Sequence, residues 1–595
     1  MVSTFQKMES TAKRLELTDS LIDLFKRTPQ GEISRIVYLL QGKLRPDFEG
    51  VELGVAEKLA IRALSKSSGV PASEIEKQYK RDGDLGRASE GIMGQKAQTT
   101  FLAEPITVGR VYETFFRIAR LEGARSQGMK TRYISSLLND AQPAESGYIL
   151  KILLGTMRFG IAENTIMDAL AAAFTGDKKN RAGIERAYNV SSDLGAVAEA
   201  VASDGLRGAE QFTAEPFRPI RPMLAERVKS EEEAVSKMGP GLAAEYKLDG
   251  ERVQIHIRGE RVEVFSRRLE RITGHYPDIA ERMPSCIGTG EAILEAEAVA
   301  INERTGEFLP FQELMHRRRR HKIEKAVSEY PITVNLFDVL YVDGRSCMDL
   351  PYAERRKTLE ELVGAARGPG STEEAHTGAK RDDYARCVPM ATISKPVEIS
   401  EFMESAINAG SEGLMLKMPG STYQAGARGS HWLKLKREYR NELGDSLDLV
   451  VVGGFFGKGK RAGIYGTLLL AAYDEQRDVF ASVCKVGTGF TDEDLDRLYQ
   501  ILHPKVTIRR NPRIDSTMGA DVWFEPELVV EIVASEITLS PIHRTAWDRI
   551  RRESGLALRF PKYTGRIRDE KQAEGASTVQ EVIALYRGQT KTAAQ

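Results

Sequence analysis

The sequence predicts a multidomain chain: an all-α N-terminal domain, an α+β middle domain and a C-terminal β-barrel, with an OB-fold as the leading candidate. Three observations predict it. A length of 595 residues exceeds a single domain, which typically spans about 50–250 residues. Apolar residues recur at helical spacing up to about residue 217, with little strand-like alternation. Short β-type runs then take over after a proline-rich junction, and the pattern shifts again near residue 441. The boundaries drawn are 1–217, 218–440 and 441–595. A composition of 41% hydrophobic and 29% charged residues is that of a folded chain rather than a disordered one.

In the first domain, residues 148–162 (YILKILLGTMRFGIA) and 165–174 (TIMDALAAAF) carry apolar side chains at helical spacing, and Asp, Ser and Gly punctuate the helices. The junction, 217–222, reads FRPIRP. Strands are expected beyond it at 243–246, 253–257, 262–265, 292–300 and 333–341. Helices are expected at 311–315, 352–363 and 400–408. Runs of strands with interspersed helices indicate a mixed or antiparallel sheet, not a regular βαβ alternation. Residues 364–383 are glycine-rich and charged, and read as a surface loop. In the last domain strands are expected at 447–453, 467–473, 479–486 and 528–533, separated by glycine- and charge-rich turns, with a helix at 578–586 before a polar tail.

Lys+Arg and Asp+Glu both number 85, so net charge says nothing about partners, although the stretch 541–571 is locally basic. Four cysteines (Cys286, Cys347, Cys387, Cys484) form no CxxC pair, which argues against a structural zinc site and for free thiols in a reducing compartment. No signal-type or membrane-spanning apolar run is present, so a cytoplasmic protein with no membrane association is expected.

The chemistry concentrates in the middle domain. Residues 245–252 (EYKLDGER) place Lys247 at the end of a short strand before an Asp-Gly turn, with Arg252 returning on the next strand. A deprotonated lysine is a nucleophile; an exposed hairpin with a surface lysine is the plain alternative. Arg267 follows one hairpin on. Glu295 and Glu297 lie two apart in an otherwise apolar strand, hence on one face, and buried carboxylates are uncommon without a cation or donor. Phe337 in 335–339 (NLFDV) could stack on a base or simply fill the core. Residues 411–417 (SEGLMLK) and 432–436 (WLKLK) set Lys417, Lys434 and Lys436 at strand alternation, suited to phosphate oxygens.

In this order the segments resemble the motifs of the covalent nucleotidyltransferase superfamily of ATP-dependent DNA ligases, RNA ligases and mRNA capping enzymes. Motif I resembles 247–252, motif III 294–299, motif IIIa 336–341, motif IV 412–417, motif V 432–436 and motif VI 566–571. The match is closest to the replicative DNA ligases of archaea and eukaryotes, which 221–225 (RPMLA), 311–316 (FQELMH) and 558–562 (LRFPK) also resemble, and it covers nearly the whole chain. Motif VI departs from the usual Arg-x-Asp-Lys, with Asp569 and Glu570 between Arg568 and Lys571.

The resemblance implies a helical DNA-binding domain, an adenylation domain and an OB-fold domain, acting in replication, repair and recombination. Lys247 would attack the α-phosphate of ATP, expel pyrophosphate and become lysyl-AMP. AMP would pass to the 5′-phosphate of a nick, and the 3′-hydroxyl would displace it to close the strand. Glu245 would mark the strand edge that recognises the adenine amino group, and Phe337 would stack on the base. Arg252 would hold the ribose or phosphate, with Arg267 beside it. Glu297 would engage the ribose or a Mg²⁺, Glu412 the metal, and Lys417, Lys434 and Lys436 the α-phosphate. Mg²⁺, with Mn²⁺ as an alternative, suits such an oxygen-rich site. Arg566, Arg568 and Lys571 would reach the pyrophosphate on closure about a hinge near 437–443.

Nick sealing cannot depend on sequence, so nicked duplex DNA should be held through its phosphates. The basic run 316–322 (HRRRRHK), with Arg317, Arg318, Arg319 and Arg320, and the turn bearing Lys458, Lys460 and Arg461 are the candidate contacts. Gln98, Phe101 and Leu102 resemble the short segment with which related archaeal ligases bind a sliding clamp. A monomer is expected. A capping enzyme would have no use for the helical domain, an RNA ligase would share the chemistry, and NAD-dependent DNA ligases carry a cysteine-rich module absent here. A non-catalytic scaffold would leave the intact Lys247, Glu297, Lys434 and Lys436 unexplained.

Overall fold

The computed structural model describes all residues except 12, 96–104, 124, 158–161, 303–307, 310, 319–322, 368–383, 437–445, 458–462 and 593–595. Residues 1–70 with 89–436 form one compact unit, and 71–88 with 437–595 a second. The expected hinge, the clamp segment with Gln98, Phe101 and Leu102, and the candidate DNA contacts Arg319, Arg320, Lys458, Lys460 and Arg461 lie outside the described residues.

The N-terminal region is helical, as expected, and no strand is found among its described residues before residue 224. Helix Val108–Ala119 shows why: Val111, Tyr112, Phe115 and Ile118 recur every three or four residues and are buried, and the Thr107 hydroxyl caps the start by accepting from the Arg110 N–H. Helix Leu194–Asp204 is capped by Asp193 and stops at Gly205, whose φ of 60° a side chain would resist. Phe5, Leu21, Phe25, Val37, Leu170 and Val197 meet in one core. One expectation fails. The run from Tyr148 is not helical to residue 162: helix Pro143–Leu153 ends ahead of Gly155, at φ 63°.

The junction is fastened by side chains of the middle domain. The Phe217 N–H donates to His256 Nδ1 (2.8 Å) and the Ile220 N–H to Gln254 Oε1 (2.7 Å), while Gln254 Nε2 donates to the Ile220 carbonyl (3.0 Å). His256 and Gln254 are buried, and burial pulls the His256 imidazole down to about 3, so it stays a neutral acceptor.

Beyond the junction the strands are β1 Leu224–Arg227, β2 Leu242–Lys247, β3 Glu251–Arg258, β4 Arg261–Ser266, β5 Glu291–Ala300, β6 Ile332–Val342, β7 Arg345–Ser346, β8 Ala385–Cys387, β9 Met390–Ile393, β10 Gly413–Lys417 and β11 Arg428–Lys436. They build two sheets, not one: β1-β11-β10-β2-β9 and β4-β3-β5-β6-β7, with β8 added beside β6. The β1–β11 and β6–β8 pairs are parallel and the rest antiparallel, so the middle domain is mixed. Alternation decides the faces: Val253, Ile255 and Ile257 of β3 enter one core, Leu433 and Leu435 of β11 another, leaving the intervening polar residues on the opposite faces.

The C-terminal region is strand-rich. Strands β12 Leu447–Phe456, β13 Tyr465–Asp474 and β14 Val479–Val486 form an antiparallel meander. Short strands β15 Val506–Thr507, β16 Ile514–Asp515 and β17 Val522–Phe524 extend it, β18 Val529–Val533 returns to pair with β12, β19 Glu536–Ser540 and β20 Gly555–Arg559 make a separate hairpin, and β21 Lys562–Ile567 pairs with β18. Helix Asp492–Leu502, which the strand-dominated pattern hid, buries Leu498 and Leu502 against this barrel-type core. No disulfide joins Cys286, Cys347, Cys387 and Cys484. Among the described residues no helix is long and apolar enough to cross a membrane.

Candidate active site

A cavity of about 540 Å³ lies between the two middle-domain sheets, walled by β2, β10 and β11 on one side and by β3, β4, β5 and β6 on the other. Lys247 ends β2 at its rim. Gly250 closes the following turn against β5: a Cβ there would meet the Ala298 carbonyl oxygen at 2.3 Å and the Glu297 Cγ at 3.0 Å. Only glycine permits this approach, which brings Glu297 in the opposite wall close to the turn.

Lys247 Nζ lies 2.6 Å from Glu412 Oε2, and Lys436 Nζ lies 2.8 Å from the same oxygen. The ladder explains the convergence, because Gly413, next to Glu412, stands opposite Lys247 on β2 and Lys436 on β11. Burial alone would raise the Glu412 carboxyl, but Lys247, a hydrogen bond with Asp249 and Lys436 outweigh it and hold the group at about 2. Asp249 is pushed the other way, to about 6, by burial and by Glu412; its Oδ2 also accepts the Phe311 N–H. Burial raises Glu297 to about 7, with Lys247 and Arg252 opposing.

Further cations adjoin it. Arg267, Arg428, Lys434 and Lys436 line the cavity. Burial lowers the Lys434 amine, and Arg428, Lys247, Lys436 and Arg267 lower it further; Arg267 is likewise lowered by burial, then by Arg252 and Arg428. Lys436 is paired with Glu412, but cations gathered in a concave wall still outnumber the anions beside them and suit phosphate. Phe337 also lines the cavity, edge-to-face with Trp432, beneath the Arg252 guanidinium. A lysine nucleophile, a cationic wall and an aromatic surface thus share one cleft of nucleotide size.

Family models match almost the full length: "DNA ligase N terminus" over residues 1–171, "ATP dependent DNA ligase domain" over 222–436 and "ATP dependent DNA ligase C terminal region" over 461–571. The chain belongs to the ATP-dependent DNA ligases. The DNA ligase of Nitrosopumilus maritimus is 67% identical over 100% of this chain and 98% of its own, and that of Cenarchaeum symbiosum 66% over 99% and 98%. The solved structure named Pmar-Lig_Pre shares the fold, with a TM-score of 0.56 at 16% identity, over 96% of this chain and 99% of its own. Nick sealing is the family's function and ATP its nucleotide, so the chain is a DNA-joining enzyme.

The structure of this ligase brings Glu245, Lys247, Arg252, Arg267, Glu297, Phe337, Glu412, Lys417, Lys434 and Lys436 to the one cavity. Two sequence-derived roles need correction. Lys417, expected on the α-phosphate, is 1% exposed and bonded to Glu245 Oε2 (2.6 Å) and the Phe337 carbonyl (3.0 Å). Arg317, expected on DNA, is also 1% exposed; it pairs with both Asp278 oxygens (2.9 and 3.0 Å) and donates to the Tyr330 and Val327 carbonyls. Only the backbone of Arg318 is described. The Glu245 carboxylate is buried beneath Lys417, Arg356 and Tyr352, and β2 is paired on both sides at this residue, with Met415 of β10 and Met390 of β9, so Glu245 does not mark a free strand edge. Arg252 spends its terminal nitrogens on the Met223 carbonyl and on Glu295. In motif VI Arg566 is exposed and lies 3.8 Å from Glu531, Arg568 pairs with Asp448, Glu531 and Glu570, and Lys571 with Asp448.

Sequence reasoning missed Asp249 and Arg428 as site residues. Asp249 sits inside motif I and could have been singled out. Arg428 stands opposite Leu224 on β1 across a parallel pair with a bulge, a long-range pairing that local spacing does not reveal.

Proposed function

We propose that this chain seals nicks in duplex DNA through AMP carried on Lys247, in replication, repair and recombination. The observation that carries the proposal is Lys247 Nζ, 2.6 Å from Glu412, in a cavity also lined by Arg267, Arg428, Lys434 and Lys436. Glu412, ionised by its lysine partners, orients Nζ toward the cavity. Nζ gives up a proton to water and attacks the α-phosphorus with its freed lone pair, the bond to the bridging oxygen breaks and pyrophosphate leaves. Lys434, Lys436, Arg267 and Arg428 neutralise phosphate oxygens as charge develops, the dominant need in such a transfer. The same wall receives the 5′-phosphate of a nick, to which AMP moves before the 3′-hydroxyl displaces it. Phe337 supplies the base-stacking face, and Arg252 with Glu297 the sugar side. Arg566, Arg568 and Lys571 act on the pyrophosphate in a domain-closed state, for which Arg568 and Lys571 exchange their present carboxylate partners.

The donor set suits Mg²⁺ brought in with the phosphates. Among the described residues no group of three or more His, Cys, Asp or Glu could hold a metal ion by itself, and Glu412 is taken by two lysines. Glu297, which forms no ion pair among the described residues, remains as an oxygen donor, and Mg²⁺ characteristically binds one or two carboxylates plus phosphates. Bound there, it would offset phosphate charge. Clamp binding through Gln98, Phe101 and Leu102, and a monomeric state, complete the reading.

The test is sealing of a 5′-phosphorylated nick in duplex DNA with ATP and Mg²⁺, beside a Lys247→Ala control. Sealing by the native chain alone supports the proposal. Sealing of nicked RNA but not DNA would replace it.

A further inference from the structure

A buried lysine needs a reason to exist, because its desolvation is offset only by excellent pairing. Lys417 has that pairing and more. It stands opposite Ala243 on β2 and Trp432 on β11, and its ammonium reaches along β2 to the Glu245 carboxylate (2.6 Å) and across to the main-chain carbonyl of Phe337 on β6 (3.0 Å). The rings of Trp432, Tyr352 and Phe337 surround it at 4.5, 4.6 and 4.9 Å, attractive distances for a desolvated cation. Glu245 is gripped again by the Tyr352 hydroxyl and by Arg356, which also donates to the Val388 carbonyl (2.9 Å). Tyr352 and Arg356 both belong to helix Tyr352–Arg367. One ammonium therefore ties together β2, which carries Lys247, and β6, which carries Phe337, strands of the two different sheets that wall the cavity.

We propose that Lys417 is a positioning residue: it pins Phe337 against the nucleophile-bearing strand and so sets the slot for the purine base of ATP, without touching phosphate. The proposal rests on the reading that Phe337 stacks on the base. Lys417 acts through the aromatic ring and through Glu245 on β2, and Tyr352 and Arg356 act through Glu245 as well.

This separates two kinds of kinetic damage. Loss of a slot weakens binding of the base, and loss of a phosphate contact slows the transfer itself. Lysyl-AMP formation is followed in single turnovers against ATP concentration for the native chain, Lys417→Met, Glu245→Gln with Lys417→Met, and Phe337→Ala. Lys417→Met should raise the half-saturating ATP concentration by about tenfold or more while the saturated rate stays within about threefold. The double variant, which leaves no unpaired buried charge, should recover part of that loss, and it serves as the probe if Lys417→Met alone fails to fold. A collapsed saturated rate with unchanged half-saturation would overturn the proposal and return Lys417 to the α-phosphate. If Phe337→Ala shifts half-saturation and neither Lys417 variant does, the pin is refuted and the stacking reading stands. An unchanged half-saturation for Phe337→Ala would instead remove the stacking reading on which the pin depends.

Discussion

Replacing Arg317 with methionine separates a structural arginine from a DNA-binding one. In sequence Arg317 belongs to a run of basic residues, and a phosphate contact is its natural assignment. In the fold it is 1% exposed, and its guanidinium makes a two-point pair with Asp278 and two further bonds to main-chain carbonyls. Arg317→Met keeps much of the volume but strands Asp278, which is itself 13% exposed, in a poorly hydrated place. Breaking one side of a buried pair costs about 3–5 kcal/mol, most of it from the uncompensated partner. Urea unfolding of the middle domain should therefore shift to markedly lower denaturant, and adding Asp278→Asn should restore part of the loss, since neighbouring sites do not add. Nicked-DNA affinity, measured at temperatures where the variant is folded, should show an unchanged salt dependence. A lost phosphate contact would instead reduce the log–log salt slope by about one. Native stability together with that reduced slope would refute the reasoning.

Three further outcomes follow from the same geometry. His256 is held near 3 in the fold against about 6.5 when unfolded, so below pH 6.5 the unfolded chain takes up a proton that the folded chain does not. Stability should fall as pH drops from 6.5 toward 3, by up to about 1.4 kcal/mol per unit, and His256→Asn should flatten that part of a urea-midpoint profile. Gly250→Ala forces a Cβ to 2.3 Å from the Ala298 carbonyl oxygen; displacing the Lys247 turn by about an ångström should slow lysyl-AMP formation on the order of a hundredfold, while Gly274→Ala, which meets nothing within 4 Å, should match the native rate. Chelation by EDTA should abolish AMP labelling yet leave the thermal melt unchanged, because among the described residues no side-chain cluster would hold a metal for stability.

Much of the site was legible because its residues come from short strands whose alternation fixes their faces. Lys434 and Lys436 share a face by spacing alone, and Lys247 ends its strand where the Asp-Gly turn marks it. Charge in a sequence, however, does not declare burial. Lys417 and Arg317 look like their solvated neighbours, and only partners far along the chain, Glu245 and Asp278, turn them into internal ties. The division of the middle domain into two sheets was hidden for the same reason: β1 and β11 pair across about 200 residues. Helix Asp492–Leu502 went unseen between strands although Thr491 caps it with a capping box.

The most direct test of the central claim is where AMP attaches. The full-length chain incubated with ATP and Mg²⁺ is digested and its peptides are weighed. The account predicts one AMP on the peptide containing Lys247, removed on addition of 5′-phosphorylated nicked duplex. AMP on any other residue, or an adduct that nicked DNA leaves in place, would contradict it.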